Sequence, residues 1–138
     1  MALPFVDVVA GLLFEDGKFL IAQRHPRDSN GGKWEFPGGK VEAGETYIQA
    51  LERELHEELS IRVKVNGLIG VHEFETTRAR YKLTLYGCKR ISGNIRLTEH
   101  SDFAWIKESD IDNYQFLSGD EPFLAKITSL GIEALSKI

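Results

Sequence analysis

A sheet-rich α/β or α+β domain with two main helices is the fold class that these 138 residues predict. Three observations carry that expectation. The chain opens on loosely alternating β-branched and apolar residues broken by a turn signal, the pattern of a β-hairpin. A single run, Tyr47 to Leu59, repeats its apolar residues at helical spacing. A series of strand-like segments follows it and is closed by a second helical stretch. Residues 1–138 are expected to form one domain, large enough to bury about two-thirds of the surface that its unfolded chain exposes.

Taken in order, Val6 to Leu13 and Phe19 to Arg24 are the hairpin strands, joined by Glu15-Asp16-Gly17-Lys18. His25 to Lys33 is polar and glycine-bearing, hence a loop. Trp34-Glu35-Phe36 is a short strand cut off by a turn at Pro37-Gly38-Gly39. In the helix from Tyr47 to Leu59, residues Ile48, Leu51, Leu55 and Leu59 form the buried stripe. Arg62 to Val65, Gly67 to Phe74, Arg80 to Lys89, Asn94 to Leu97 and Phe103 to Ile106 read as further strands, with a turn at Ser92-Gly93-Asn94. The last helix starts at Asp120-Glu121-Pro122, with Asp120 as candidate cap, and runs to about Leu135.

Composition narrows the class of function. The hydrophobic share of 42% and charged share of 28% are ordinary for a soluble globular protein. No apolar run approaches the roughly 20 residues of a membrane span. The N-terminal segment lacks a basic region before its apolar stretch, so no export signal is expected. One cysteine, Cys88, suits a reducing cytoplasm and reads as a small strand residue. A net charge of −4 argues against broad binding to duplex DNA. A polyanionic substrate would then have to be met locally, by cations held on carboxylates.

Glu52, Glu54, Glu57 and Glu58 fall within seven residues of the helix, and the last three share a face about 100° from the leucine stripe. Like charges at that spacing repel by a few tenths of a kcal/mol per pair, so the helix gains no stability from them. Carboxylate oxygens are hard ligands suited to Mg²⁺. From the cluster alone a solvated acidic face softened by Arg53 and His56 is an equal alternative. Pro37-Gly38-Gly39, at a fixed distance before it, favours the metal platform, because glycine backbone can approach a ligand closely.

Gly39, five residues, Glu45, seven residues, then Arg53-Glu54-Leu55-His56-Glu57-Glu58-Leu59-Ser60-Ile61 resembles the Nudix box over its full 23 residues. One position departs, Ser60, where the family pattern has glycine. The Trp-Glu-Phe-Pro-Gly-Gly-Lys lead-in and the Glu-Pro start of the last helix are similar to those of small MutT-type members. The resemblance implies an α/β/α sandwich with a mixed sheet and a catalytic loop, helix and loop. It implies Glu54, Glu57, Glu58 and the Gly38 carbonyl as ligands of Mg²⁺, with Mn²⁺ a substitute, and Arg53 and Glu45 as their orienting pair. Glu99, six residues before Trp105, corresponds to a further ligand or base. Asp102 is its weaker substitute, and neighbouring His100 reads as a solvated loop histidine.

The implied reaction is attack of water on phosphorus in a nucleoside diphosphate linked to a further group, with Glu57 or Glu99 taking the proton. Arg24 is placed to pair with phosphate, and Asp120 corresponds to a position that reads a purine. The leading substrate is a purine nucleoside triphosphate, a guanine or 8-oxo-guanine form, cut to monophosphate and pyrophosphate by a monomer or homodimer. A 5′-triphosphorylated RNA end is the nearest rival, guided by Arg78, Arg80, Lys82, Lys89, Arg90 and Arg96 or leaving them as a solvated sheet face. Nucleoside diphosphate sugars, dinucleoside polyphosphates and a non-catalytic nucleotide sensor stand behind it.

Overall fold

The computed structural model describes residues 2–138. Its elements follow the order β1 (Phe5–Glu15), β2 (Lys18–Arg24), β3 (Trp34–Glu35), β4 (Gly38–Lys40), α1 (Tyr47–Leu59), β5 (Arg62–Glu75), β6 (Arg80–Ser92) and β7 (His100–Ile106). A 3-10 turn (Glu108–Asn113), α2 (Glu121–Leu130) and α3 (Ile132–Leu135) complete the chain. The sheet is mixed, in the order β3-β2-β1-β6-β5, with β4 added beside β1 and β7 beside β2. Helix α1 covers one face, where Leu51, Leu55 and Leu59 meet Val9, Leu13 and Cys88. Phe123, Ile127 and Leu135 pack on Leu12, Phe14 and Leu85 across the other. The expected sandwich is thus present.

Strand β1 explains the architecture. Its residues from Val9 to Phe14 are all buried, alternately under the two helical layers, as a near-continuous apolar run in a central strand requires. It runs parallel to β6 from Phe5↔Arg80 to Leu13↔Cys88. The expected hairpin is real but brief. Asp16 and Gly17 both have positive φ, 52° and 75°, which suits the twist of a two-residue turn. Only Phe14↔Phe19 and Glu15↔Lys18 pair before β2 leaves for β3 and β7.

Helix α1 spans the residues that the sequence predicts. Thr46 caps it with a reciprocal box, accepting from Gln49 N at 3.1 Å while its own N–H donates to Gln49 Oε1 at 2.9 Å. Ile48 does not belong to the buried stripe, being 45% exposed; Ala50 and Glu58 take part instead, because the stripe tracks through 51, 55 and 58/59 and leaves residue 48 beyond its edge.

Four further expectations need correcting. Arg62 to Phe74 is one strand, kept continuous through irregularities at Val65/Gly67 and Leu68/Gly70. Pro37-Gly38-Gly39 is no mere turn: Gly38–Lys40 is itself a strand against β1, with Val9↔Gly39 in register. Asn94 to Leu97 forms no strand; there Arg96 N–H donates to Leu59 O at 2.9 Å, and Thr98 N–H just beyond donates to Glu58 O at 3.1 Å, so this segment serves the orphan carbonyls at the end of α1. The last helix breaks at Gly131, whose φ of 80° no helix continues through, leaving α3 as a separate turn. Cys88 is fully buried, and burial pushes its thiol up to about 12.

Candidate active site

The end of α1 and the β4 strand meet at close range because glycine permits it. A side chain on Gly39 would land on the Glu54 carboxylate, and one on Gly38 would collide with the Val9 carbonyl. Gly38 N–H donates to Glu58 Oε2 at 3.1 Å. Glu58, expected on a face away from the buried leucine stripe, is itself buried at 4% exposed. Burial first, and then the nearby charges of Glu54, Glu35 and Glu99, push its carboxyl up to about 9. Glu54 is also raised, chiefly by burial against the opposing pull of Arg53.

Arg53 is no ordinary surface ion pair. Its Nε reaches Glu45 Oε2 at 2.6 Å and its Nη2 reaches Glu45 Oε1 at 2.9 Å, a two-pronged bridge. Nη1 donates to Glu54 Oε1 at 2.9 Å and Glu57 Oε2 at 3.2 Å, and Nη2 to Lys40 O at 3.0 Å. Glu45, pulled below the ordinary carboxylate range first by Arg53, also accepts from Glu42 N at 2.9 Å. One guanidinium thereby ties the loop before α1, the β4 backbone and the carboxylates of the helix together.

Glu54, Glu58, Glu99, Gly38, Glu35 and Arg24 line one cleft of about 460 Å³. Glu57 and Asp102 do not line it: the Glu57 side chain is 55% exposed at its rim, on Arg53, and Asp102 accepts from Phe103 N on the outer surface. Among the described residues no three acidic, histidine or cysteine side chains already close around one point. The donor set nevertheless fits a hard divalent cation, which takes a few carboxylates and fills its shell with water and phosphate oxygens. A buried carboxyl crowded by three like charges is what such a cation would relieve.

A second cleft, of about 410 Å³, adjoins the first and shares Val8, Arg24, Glu35 and Gly38 with it. Its walls are apolar, with Phe36, Leu83 and the stacked rings of Phe74 and Tyr81, 5.1 Å apart. Asp120 is 5% exposed among them. It forms no side-chain cap on α2; instead Phe36 N–H donates to Asp120 Oδ2 at 3.3 Å. Burial, reinforced by Glu35, holds the Asp120 carboxyl well above the usual carboxylate range.

Sequence reasoning missed Glu35 and misjudged His100. The His100 side chain is 4% exposed, and its Nε2 lies 2.8 Å from Glu35 Oε2. Arg24 Nη1 approaches Glu35 Oε1 at 3.4 Å, while its Nε donates to Ser29 O at 3.0 Å. The available signal was alternation: Glu35 sits between Trp34 and Phe36, a charge in an otherwise aromatic strand. Of the six basic residues considered for RNA, Arg80 pairs with Glu75, Lys82 with Tyr47 and Arg90 with Glu15.

A mixed sheet lies between helical layers, with a carboxylate cleft opening beside an apolar one. Residues 4–128 match the NUDIX domain family model. The chain is 34% identical over 128 residues to the CTP pyrophosphohydrolase of Escherichia coli (strain K12), covering 93% of this chain and 95% of that protein. It is 29% identical over 126 residues to the 8-oxo-dGTP diphosphatase of the same organism, covering 91% and 98%. The solution structure of the E. coli ORF135 protein superposes with a TM-score of 0.80 at 33% identity, over 93% of this chain and 91% of that one. A MutT protein from Methanosarcina mazei Go1 superposes at 0.81 with 25% identity, over 94% and 96%. The chain belongs to the Nudix family and is a hydrolase of its MutT type. Enzymes of this family use divalent metal ions and act on nucleotide substrates.

Proposed function

We propose that this chain, acting as one domain, hydrolyses nucleoside triphosphates to the monophosphate and pyrophosphate with Mg²⁺, for which Mn²⁺ can substitute. The observation that carries the reading is the junction of the two clefts. A base enters the apolar cleft and ends on Asp120, and its triphosphate lies along Glu54, Glu58 and Glu99. Nothing longer than a nucleotide is needed to bridge them.

Bound metal supplies charge neutralisation at phosphorus and a more acidic water. Glu54, Glu58, Glu99 and the Gly38 carbonyl are the groups that would hold it. Arg53, steadied by Glu45, fixes Glu54 and Glu57 against their mutual repulsion. Arg24 offers forked donors to phosphate oxygens at the junction. Glu57 or Glu99 takes the proton of the attacking water.

The base reading follows Asp120. An ionised carboxylate accepts from guanine N1–H and N2–H and supports a guanine or 8-oxo-guanine substrate. A neutral acid offers an O–H donor beside a C=O acceptor, which complements N3 and the N4 amine of cytosine. Its burial favours the neutral acid, and the relative named a CTP pyrophosphohydrolase supports this second reading.

The test is pyrophosphate release, with and without Mg²⁺, from CTP, GTP, 8-oxo-dGTP, a nucleoside diphosphate sugar and a 5′-triphosphorylated RNA. Metal-dependent hydrolysis of free triphosphates is expected, nearly abolished in Glu57→Gln. Preference for the RNA would move the function to RNA 5′-end processing, and unchanged Glu57→Gln turnover would remove Glu57 from the site.

A further inference from the structure

The sheet ends at β5, a strand of 14 residues whose outer edge pairs with no other strand among the described residues. An open edge of that length presents a row of backbone N–H and C=O groups, which a protein covers, blunts or pairs. Blunting here is confined to the start and the middle of the strand. The ladder to β6 is irregular at Arg62/Val63, Val65/Gly67 and Leu68/Gly70, and Lys126 of α2 donates from Nζ to Ile69 O in the central stretch. Residues 63–65 and 70–75 keep an unbroken register with β6.

The two ends of β5 carry opposite charges. Arg62 and Lys64 are exposed at one end, Glu73 and Glu75 at the other. Of these four, only Glu75 has an ion partner among the described residues, Arg80 on β6 at 3.4 Å, with both side chains more than half exposed. Between the ends lie Leu68 and Val71, 53% and 48% exposed. Both stand on the face of the sheet that carries α1, because their β6 partners Tyr86 and Thr84 alternate with Cys88, which packs under that helix. Ile48 of α1, 45% exposed, flanks the same side: one and two turns further on, Glu52 and His56 share a groove with Arg62 and Val63 of β5.

Charge order and symmetry select what fits this edge. Two copies of β5 laid side by side in parallel would set Arg62 and Lys64 against themselves, which is unfavourable. Laid antiparallel across a two-fold axis near Leu68, each basic end meets the acidic end of the other copy, and Leu68 and Val71 of both copies gather at the axis. The irregular centres then face each other, and the regular run 63–65 of one copy lies along the run 70–75 of its partner. We propose that β5 is a self-association edge, on which a second copy of this chain docks antiparallel and joins the two sheets into one. The axis stands perpendicular to the sheet, so α1 of both copies stays on one face and Ile48 flanks the apolar centre from each side.

The experiment is sedimentation equilibrium of the full chain over a range of protein and salt concentrations. Wild type should approach twice its 15.6 kDa as concentration rises at low salt, and should dissociate as salt screens the end charges. Arg62→Glu with Lys64→Glu, and separately Glu73→Lys with Glu75→Lys, should each be monomeric, because each variant carries one sign at both ends. Mixed in equal amounts, the two variants should form a heterodimer, since both end contacts again join opposite charges. A chain with all four changes should pair with itself once more. Should a charge variant not fold, Val71→Lys, which places a charge at the apolar centre, should still dissociate the dimer. A wild type that stays monomeric at every concentration overturns the proposal. So does a dimer that survives these substitutions, or a pair of charge variants that remain monomers when mixed.

Discussion

Arg53 grips Glu45 with two prongs of its guanidinium, Nε to Oε2 at 2.6 Å and Nη2 to Oε1 at 2.9 Å, and thereby fixes the face of α1 on which Glu54 and Glu57 stand. Lysine keeps the charge but donates from a single point. Arg53→Lys should therefore let the carboxylates drift. We expect turnover to fall about 100-fold, the scale of a displacement near 1 Å at a reacting centre, with little change in Tm. Steady-state kinetics beside thermal denaturation checks this; equal loss of stability and activity would reduce Arg53 to a structural clamp.

Gly38 and Gly39 should separate under the same substitution. Gly38→Ala drives a methyl into the Val9 carbonyl, where backbone must move, and is expected to cost about 3 kcal/mol of stability. The methyl of Gly39→Ala meets the Glu54 carboxylate first, the end of a flexible side chain. It should fold nearly normally while needing more metal for half-maximal turnover. Denaturant unfolding and a Mg²⁺ titration of activity distinguish the two, and a Gly39→Ala enzyme with an unaltered metal requirement would take Glu54 out of the metal site.

Ser60 ends α1 with φ 62° and ψ 28°, the left-handed conformation that glycine adopts freely. The local turn therefore survives the departure from the family pattern, at a conformational cost, while Ser60 Oγ regains a bond to Arg96 O at 3.3 Å. Ser60→Gly should stabilise the protein by about 1 kcal/mol, a rise of about 3 °C in Tm, with kcat unchanged. A fall in Tm would show the hydroxyl bond to outweigh the backbone strain.

Asp120 should make stability depend on pH. In the unfolded chain its carboxyl ionises near pH 4, about the ordinary value, whereas burial keeps it protonated further in the fold. The stability contributed by the neutral acid is complete below the unfolded value and is lost as pH rises through the folded one. Asp120→Asn keeps the shape and does not titrate. Its Tm relative to wild type should climb as pH is raised from about 4, and a difference that stays flat across that range would contradict a buried neutral carboxyl.

Local signals carried much of this protein. Thr46 and Gln49, the apolar spacing of Leu51, Leu55 and Leu59, and the Asp16-Gly17 turn act over a few residues, so α1 and the opening turn were legible from the chain alone. The spacing from Gly39 through Glu45 to Glu58 was legible too, through its resemblance to the Nudix box. The merging of Arg62 to Phe74 into one strand and the break at Gly131 were not, since sheet neighbours and helix packing decide them.

What the sequence by itself determined is the helix, its acidic face and the glycines beneath it, all set by contacts within about 25 residues of chain. Only the tertiary structure decided that Glu58 is buried while Glu57 is exposed, that Asp120 turns inward from its helix to meet Phe36, and that Glu35 stands between Arg24 and His100. Those outcomes depend on which strands lie side by side, and partners such as Glu35 and His100 are 65 residues apart in the chain. Burial and like-charge proximity are properties of the packed sheet, and no periodicity along one strand encodes its neighbour's register.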